Sequence, residues 1–297
     1  MKKKEVLYTY ILPLIVMLLW GTLFPMVKIS YTAFNIDTSS ASDILMFASV
    51  RFVICGILVC ILAAVKKEKI YAPLGKNIWY IVLVGFFSIF LHYAFTYVGL
   101  SVTDSSKSSL IKQLANLLYI CFAFLFIKEE KFNKFKIIGA LVGFSGIIAI
   151  SWTGKSFVVA SGDILLMTAS VCSVTATIIS KISVKNSSAY WVTGISQLSG
   201  GILLFITALI MGGAFPVFNL RAILVFLYIC IASITGYILW YVSLSKATVS
   251  RLFIVKFAEP LFACIFGALL LGENIFKIQY LLAFILICLG ITLGNRN

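Results

Sequence analysis

Residues 241–273, YVSLSKATVSRLFIVKFAEPLFACIFGALLLGE, are the stretch that decides the fold. They carry a lysine, a glutamate and a proline inside an otherwise apolar sequence. Residues 97–129, YVGLSVTDSSKSSLIKQLANLLYICFAFLFIKE, match them at a constant displacement of 144 positions. We infer that one structural unit is used twice. The displacement pairs Leu100 with Leu244, Ser101 with Ser245, Ser106 with Ser250, Lys107 with Arg251, Lys112 with Lys256, Glu129 with Glu273 and Gly146 with Gly290.

The composition predicts that lipid is the solvent of most of the chain. The 297 residues are 62% hydrophobic and 11% charged, with a mean hydropathy of +1.09. A soluble domain of this length cannot bury so much apolar surface. The net charge of +14 does not indicate nucleic-acid binding, because the basic residues lie in short loops and form no stripe with aromatic residues.

Ten apolar spans of roughly 17–25 residues are each long enough to cross a bilayer as a helix. The N-terminal MKKKE and the span after it lack a small-residue cleavage site, so we interpret the span as a retained first helix. The seven cysteines lie in apolar spans without ligand spacing, and we predict neither a metal nor another cofactor. The spans cover about residues 8–30, 43–65, 78–99, 105–127, 135–152, 162–180, 189–211, 221–243, 248–271 and 278–294.

The distribution of lysine and arginine between the loops predicts the orientation. Segments on one side hold sixteen of these residues, and segments on the other side hold four, namely Lys107, Lys155, Arg221 and Lys277. The positive-inside rule therefore places both termini in the cytoplasm of a multi-pass plasma-membrane protein. The sixteen are Lys2, Lys3, Lys4, Lys66, Lys67, Lys69, Lys76, Lys128, Lys131, Lys134, Lys136, Lys181, Lys185, Lys246, Arg251 and Arg296.

The number of spans in each half predicts how the two halves are related. Five spans is an odd number, so the second half enters the bilayer from the opposite side. Residues 1–152 and 153–297 are then inverted repeats related by a pseudo-two-fold axis in the membrane plane. Secondary transporters use this plan and bind substrate near the midplane, between the repeats.

Three short motifs resemble the EamA family of the drug/metabolite transporter superfamily. They are Trp20-Gly21-Thr22 in the first span, Arg51-Phe52 in the second, and Glu259-Pro260 with Leu271-Gly272-Glu273 in the ninth. The resemblance implies a ten-helix carrier in which spans 1–4 and 6–9 surround a central cavity and spans 5 and 10 are peripheral. It also implies export or exchange of amino acids, metabolites, sugar phosphates, nucleotide sugars or drugs.

The chain departs from the family pattern in the first repeat. Asn116 stands where the second repeat has Pro260, and Ile127-Lys128-Glu129 replaces the Leu-Gly-Glu ending. Lysines at the equivalent positions 112 and 256 are similar in type to the anion-holding lysines of the sugar-phosphate exchangers in the superfamily.

Five charged residues lie inside predicted spans, where a charge costs roughly 2.5–3.5 kcal/mol at the bilayer centre. Lys112, Asn116 and Tyr119 form a polar stripe at helical spacing, which favours a substrate-contacting cavity wall. The alternative is that the Lys112 side chain extends to the outer interface. We expect this of Lys28, which lies near the end of the first span. The five are Lys28, Arg51, Lys112, Lys256 and Glu259.

Lys256 and Glu259 are three residues apart and can form an ion pair on a helix. That pair is either structural or a switchable substrate site, in which an anion or a proton competes for one partner. Pro260 removes a backbone donor and frees a carbonyl one turn earlier, near Lys256, so we predict a kink that serves as a gate or as helix shape.

Several further polar and aromatic residues are candidates for the cavity wall. Arg51 either bonds carbonyls of neighbouring helices or contacts substrate. His92, the single histidine, either titrates and couples transport to protons or makes an interhelical hydrogen bond. Tyr237 and Gln197 are predicted to face the cavity, and Trp20 lies too deep for an interfacial belt, so it is cavity wall or core.

A secondary transporter explains these features best. The chain has no P-loop motif for ATP, and the buried cations outnumber the single buried acid. We therefore predict an anionic or zwitterionic small metabolite, such as an amino acid or a carboxylate or phosphate compound, as substrate. The alternatives are an exporter of drugs or cationic amines, a lipid-carrier flippase subunit and, remotely, an intramembrane lipid enzyme. No oligomeric state is predicted.

Overall fold

A computed structural model describes residues 3–69, 74–122, 125, 134–150, 159–247, 252, 255–256 and 258–294. The predictions made above for residues 127–131, 155, 250, 251 and 296 concern positions outside these ranges. Two π-helical segments, Leu7–Ile11 and Gly85–Leu91, run directly into α-helices. The α-helices are α1 (Lys3–Val6), α2 (Leu12–Ala33), α3 (Ala41–Val65), α4 (Leu74–Val84), α5 (His92–Ser101), α6 (Ser105–Ile111), α7 (Leu114–Phe122), α8 (Lys134–Ile150), α9 (Ser161–Asn186), α10 (Ala189–Ile210), α11 (Leu220–Lys246), α12 (Ala258–Leu271) and α13 (Ile278–Gly294).

Length and hydropathy mark six helical stretches in the described part of the chain as able to cross a membrane. They coincide with the predicted spans 1, 2, 3, 6, 7 and 8, and shorter apolar helices lie on spans 5, 9 and 10. The predicted all-α membrane class is therefore confirmed. The six are Leu7–Ala33, Ala41–Val65, Ile78–Ser101, Ser161–Asn186, Ala189–Ile210 and Leu220–Lys246.

Local side-chain chemistry sets where three of the long helices begin. Ser40 accepts a hydrogen bond from the backbone N–H of Asp43 at the start of α3. Ser188 accepts a hydrogen bond from the Trp191 N–H at the start of α10, and Asn219 accepts one from the Ala222 N–H at the start of α11. Each side chain pairs one of the backbone donors that a helix start leaves open, which fixes the entry point of the chain into the bundle.

The predicted fourth span is two helices, not one. α6 ends at Ile111 and α7 begins at Leu114. Across the junction the backbone makes tighter bonds to the third residue back, from Ala115 to Lys112 and from Asn116 to Gln113. A stretch of three residues per turn rotates everything after it relative to an α-helix. The expected stripe of Lys112, Asn116 and Tyr119 therefore does not hold as a single face.

The helices pack in pairs that join the two halves of the chain. α3 lies along α10, α8 lies along α13, α2 contacts α11 and α12, and α5 contacts α9. Close helix packing occurs at Gly139-x-x-x-Gly143 of α8. A Cβ at Gly290 of α13 would lie 2.5 Å from the Gly139 carbonyl oxygen and 2.6 Å from the Gly143 nitrogen of α8.

Candidate functional site

A cavity of about 100 Å³ lies between α2, α3, α5, α7, α9, α11 and α12. This volume is several times the ~10–15 Å³ that one water needs, so charged groups on the wall can be hydrated. Eight of the residues predicted from the sequence line it: Trp20, Arg51, His92, Lys112, Asn116, Tyr237, Lys256 and Glu259.

Both lysines lie at interruptions of their helices. Lys112 occupies the junction between α6 and α7, and Lys256 comes just before α12. The Lys112 carbonyl accepts from the Ala115 N–H at 3.2 Å, and the Lys256 carbonyl accepts from the Glu259 N–H at 3.1 Å. These two bonds stand at equivalent positions, 144 residues apart. Broken helices beside a central cavity are where transporters place substrate and ion sites.

Pro260 accounts for the interruption in the second half. In an unbroken α-helix the residue-260 nitrogen would donate to the Lys256 carbonyl, and proline has no N–H to donate. The Glu259 N–H bonds that carbonyl instead, so the freed carbonyl predicted beside Lys256 has a partner one residue earlier. Pro260 is buried in α12 and does not line the cavity. Its gating role stays a prediction.

His92 connects Lys112 to the opposite wall. The His92 Nδ1 lies 2.9 Å from the Ala169 carbonyl oxygen of α9, and its Nε2 lies 3.3 Å from the Lys112 Nζ. A carbonyl oxygen only accepts, so Nδ1 carries a proton and Nε2 faces the lysine. The π-helical segment Gly85–Leu91 ends just before His92. π-bulges are frequent at functional sites.

Aromatic rings cover both ammonium groups. The Lys112 Nζ lies 5.1 Å from the centre of the Phe24 ring, and the Lys256 Nζ lies 5.2 Å from that of Trp240. Cation–π contacts stabilise a charge that is partly removed from water. Among the described residues of the cavity wall, the cations Arg51, Lys112 and Lys256 outnumber the single acid Glu259.

Arg51 has no exposed surface and joins three helices. Its Nη1 donates to the Tyr97 hydroxyl of α5, and its Nη2 donates to the Ser233 hydroxyl of α11. Its guanidinium carbon also lies 4.8 Å from the centre of the Phe52 ring. The bonding partners are hydroxyl groups of neighbouring helices, not the carbonyls expected from the sequence, and the residue also borders the cavity.

Aromatic side chains from α2 and α11 form the apolar part of the wall. The Trp20 ring centre is 5.4 Å from that of Tyr237 and 5.6 Å from that of Trp240. The Tyr237 hydroxyl donates to the Tyr93 hydroxyl at 3.1 Å. Trp240 and Tyr241 are also buried and line the cavity.

Two predicted residues lie away from this wall. Tyr119 is buried in α7 behind the tightened turn. Gln197 has no exposed surface and lies in α10, which packs on α3. The sequence analysis missed Tyr93 and Tyr97, which border the cavity from α5. Tyr93 directly follows His92, and Tyr97 comes four residues after Tyr93. This helical spacing was the signal available in the sequence.

A cluster of polar contacts joins the two halves of the chain at one end of the bundle. The Glu273 carboxylate accepts four hydrogen bonds, from the backbone N–H and hydroxyl groups of Ser105 and Ser106 at 2.5–2.9 Å. Nearby, the Lys107 Nζ lies 2.8 Å from the Asp163 Oδ2. Burial raises the pKa of Glu273, but the four hydrogen bonds outweigh it and lower that pKa below 4.5. Glu273 therefore joins helices that are distant in the sequence.

Comparison with known proteins agrees with this architecture. The sequence profile of the EamA-like transporter family matches residues 7–152 and again residues 160–296. The chain belongs to the EamA-like transporter family, and it is a multi-pass membrane protein of the transporter class.

Similar proteins of two organisms carry transporter names. Two uncharacterized transporters of Archaeoglobus fulgidus are 26% and 25% identical, covering 82% and 90% of this chain and 86% and 90% of theirs. The uncharacterized transporter YvbV of Bacillus subtilis is 24% identical over 100% of this chain and 94% of its own. A solved crystal structure shares the fold with a TM-score of 0.69 at 16% identity, covering 97% and 96% of the two chains.

Proposed function

We propose that the protein is a secondary transporter that moves an anionic or zwitterionic small metabolite across the plasma membrane by alternating access. The observation that carries the proposal is the pair of repeat-related lysines, each at a helix interruption and both on one cavity. In this proposal ten spans form two inverted repeats, residues 1–152 and 153–297, and both termini are cytoplasmic.

The pattern of helix contacts supports the inverted repeat. Exchanging the halves replaces α2 by α9, α3 by α10, α5 by α11, α7 by α12 and α8 by α13. The contact of α2 with α11 then becomes that of α9 with α5, and the contact of α2 with α12 becomes that of α9 with α7. The pairs α3–α10 and α8–α13 map onto themselves. An arrangement unchanged by exchange is what a two-fold axis produces.

The closed end of the bundle supports alternating access. With both termini in the cytoplasm, the contact of Glu273 with Ser105 and Ser106 lies on the outer side. The sequence has Glu129 and Ser250 at the repeat-equivalent positions, outside the described residues. In this proposal the halves rock about the cavity, so that the outer contact opens when an equivalent inner contact forms.

Charge and shape of the wall support the substrate class. Two ammonium groups and one carboxylate favour a solute with a carboxylate or phosphate, and an amine on the solute can face Glu259. The rings of Trp20 and Trp240 beside them offer an apolar surface for the rest of the molecule.

Counterflow into proteoliposomes tests the proposal with a panel of amino acids, carboxylates, sugar phosphates and amines. We expect a carboxylate or phosphate compound to exchange. Lys112→Met and Lys256→Met should each weaken half-saturation at least about tenfold, since a hydrogen bond to a charged group contributes ~1.5–3 kcal/mol. Lys28→Met is the matched control, because Lys28 lies in α2 but not on the cavity wall.

Other results would support the other candidates. Exchange of organic cations that survives neutralisation of both lysines would indicate an exporter of drugs or amines. Movement of a lipid carrier between leaflets would indicate a flippase subunit, and chemical conversion of an added lipid would indicate an enzyme. Each of these results contradicts the anion proposal.

A further inference from the structure

The only histidine of the chain lies within hydrogen-bond distance of one of the two cavity lysines. His92 is 7% exposed, and its Nδ1–H is committed to the Ala169 carbonyl at 2.9 Å. Its Nε2 and the Lys112 Nζ are 3.3 Å apart. Either an ammonium donates to a neutral imidazole, or an imidazolium donates to a neutral amine. In both cases one proton lies between the two nitrogens, so the pair carries one positive charge.

We propose that His92 is a positioning residue that holds Lys112 in the resting site and takes up one proton when an anion binds. The anion draws the Lys112 ammonium away from His92, which leaves the Nε2 lone pair without a donor. A proton from water then binds Nε2. The site gains one anion and one proton, and its net charge is unchanged. This inference rests on the proposed function in taking an anion as the ligand.

Electrostatics gives the sign of this coupling. In the resting site the charges on Lys112 and Lys256 oppose a second positive charge on His92. A bound anion offsets them, so it favours the protonated imidazole, and by reciprocity acid favours anion binding. Glu259 acts in the same direction as the anion. The other ionisable groups on the described part of the cavity wall are Arg51, Tyr93, Tyr97, Tyr237 and Tyr241.

The Ala169 contact alone does not explain the geometry. An interhelical hydrogen bond would satisfy Nδ1 and leave the other edge of the ring free to meet apolar side chains. Instead the Nε2 edge faces the cavity and a cation that a second ring, Phe24, also covers.

Nitrogen NMR measures the tautomer and the protonation of the His92 imidazole directly and needs no substrate. With one histidine in the chain, ¹⁵N-histidine labelling of tag-free full-length protein gives one pair of imidazole signals, and His92→Gln labelled in the same way fixes the background. We expect the Nδ1–H tautomer at neutral pH. Lys112→Met should raise the pH midpoint of Nε2 protonation by about 1–3 units, since a like charge within ~4–6 Å has been removed. Lys28→Met should leave it unchanged.

Two results would overturn the shared proton: an Nε2–H tautomer in the wild type, or a midpoint that Lys112→Met does not move. The coupling is tested by adding inorganic phosphate and, separately, lactate at fixed pH. We expect the wild-type signal to move toward the protonated form with either anion and not to move in Lys112→Met. A signal unaffected by saturating concentrations of both would refute the coupling. The liposome experiments can fail or succeed independently of these spectra.

Discussion

Replacing Glu273 by glutamine tests whether the contact with Ser105 and Ser106 closes the end of the bundle that we propose to be the outer one. The carboxylate accepts two bonds at each oxygen, from one N–H and one hydroxyl. An amide keeps the shape but turns one oxygen into a donor. The hydroxyl facing it can rotate and accept, whereas the backbone N–H loses its partner. Losing one bond to a charged group costs about 2 kcal/mol, or roughly 30-fold in the closed-to-open ratio.

Accessibility of a cysteine on the cavity wall measures that ratio. Ser173→Cys on α9 faces the cavity, and a membrane-impermeant maleimide reaches it from outside only when the outer end opens. We expect Glu273→Gln to raise the modification rate of that cysteine roughly 30-fold in right-side-out vesicles. The protein without Ser173→Cys corrects for the native cysteines.

The matched control removes the same charge from a neighbouring loop. Asp37 lies between α2 and α3, and among the described contacts its carboxylate bonds only to its own turn, at Ser39 and Ser40. Asp37→Asn should leave the rate unchanged. An unchanged rate in Glu273→Gln, or an equal rise in both variants, would show that the carboxylate does not hold this end closed.

The same contact predicts a pH dependence. The pKa of Glu273 is lowered in the closed arrangement, so the contribution of the carboxylate is fully present above its ordinary value of 4.5. It is lost as the pH falls through the lowered pKa. Divided by the rate of a free cysteine thiol at the same pH, which follows the thiolate fraction, the labelling rate of the Ser173→Cys protein should stay flat between about pH 8 and 5 and rise below that range. Glu273→Gln should lack this rise, and a rise centred near neutral pH would contradict the assignment.

Three further variants probe the wall and the packing beneath it. Gly236→Ala places a Cβ 2.5 Å from the Trp20 Nε1, so it should displace the indole, cost about 1–3 kcal/mol in thermal melting and shift counterflow toward smaller solutes. Gly21→Val should destabilise more than Gly236→Ala, because a Cβ there already meets the Glu259 carbonyl oxygen at 2.9 Å and that backbone cannot rotate away. Arg51→Met leaves two buried hydroxyl groups without their donor and should lower stability by about 2–4 kcal/mol, with Lys28→Met unchanged in the same melt.

The sequence predicts the charged content of the site well. Lys112 and Lys256 stand at equivalent repeat positions, and buried charge in an apolar span requires a wet cavity or a partner, so their convergence follows from physical chemistry. The helix interruptions at these lysines are harder to predict from the sequence. Pro260 signals one of them through its missing N–H, but Asn116 at the equivalent position has an N–H and signals nothing.

Contacts between distant segments account for the rest. Tyr119 was expected on the wall because an unbroken α-helix was assumed, and the tightened turn at Lys112 moved it. The bond between Glu273 and Ser105 joins residues 168 positions apart, so no local pattern encodes it. The prediction that Gln197 faces the cavity rests on its polarity alone, whereas its location follows from how α10 packs on α3.

The wide turn at Gly85–Leu91 completes one rotation with about one residue more than an α-helical turn. The additional residue is therefore taken up inside the segment, and α4 and α5 keep the rotational relation that a regular helix would give them. Deleting a single residue from this segment should restore an α-helical turn and leave the faces of both helices where they are. The same deletion inside α5 would instead turn the rest of the span by about 100°. A change of chain length is thus tolerated in this segment without moving the cavity-wall residues of α5.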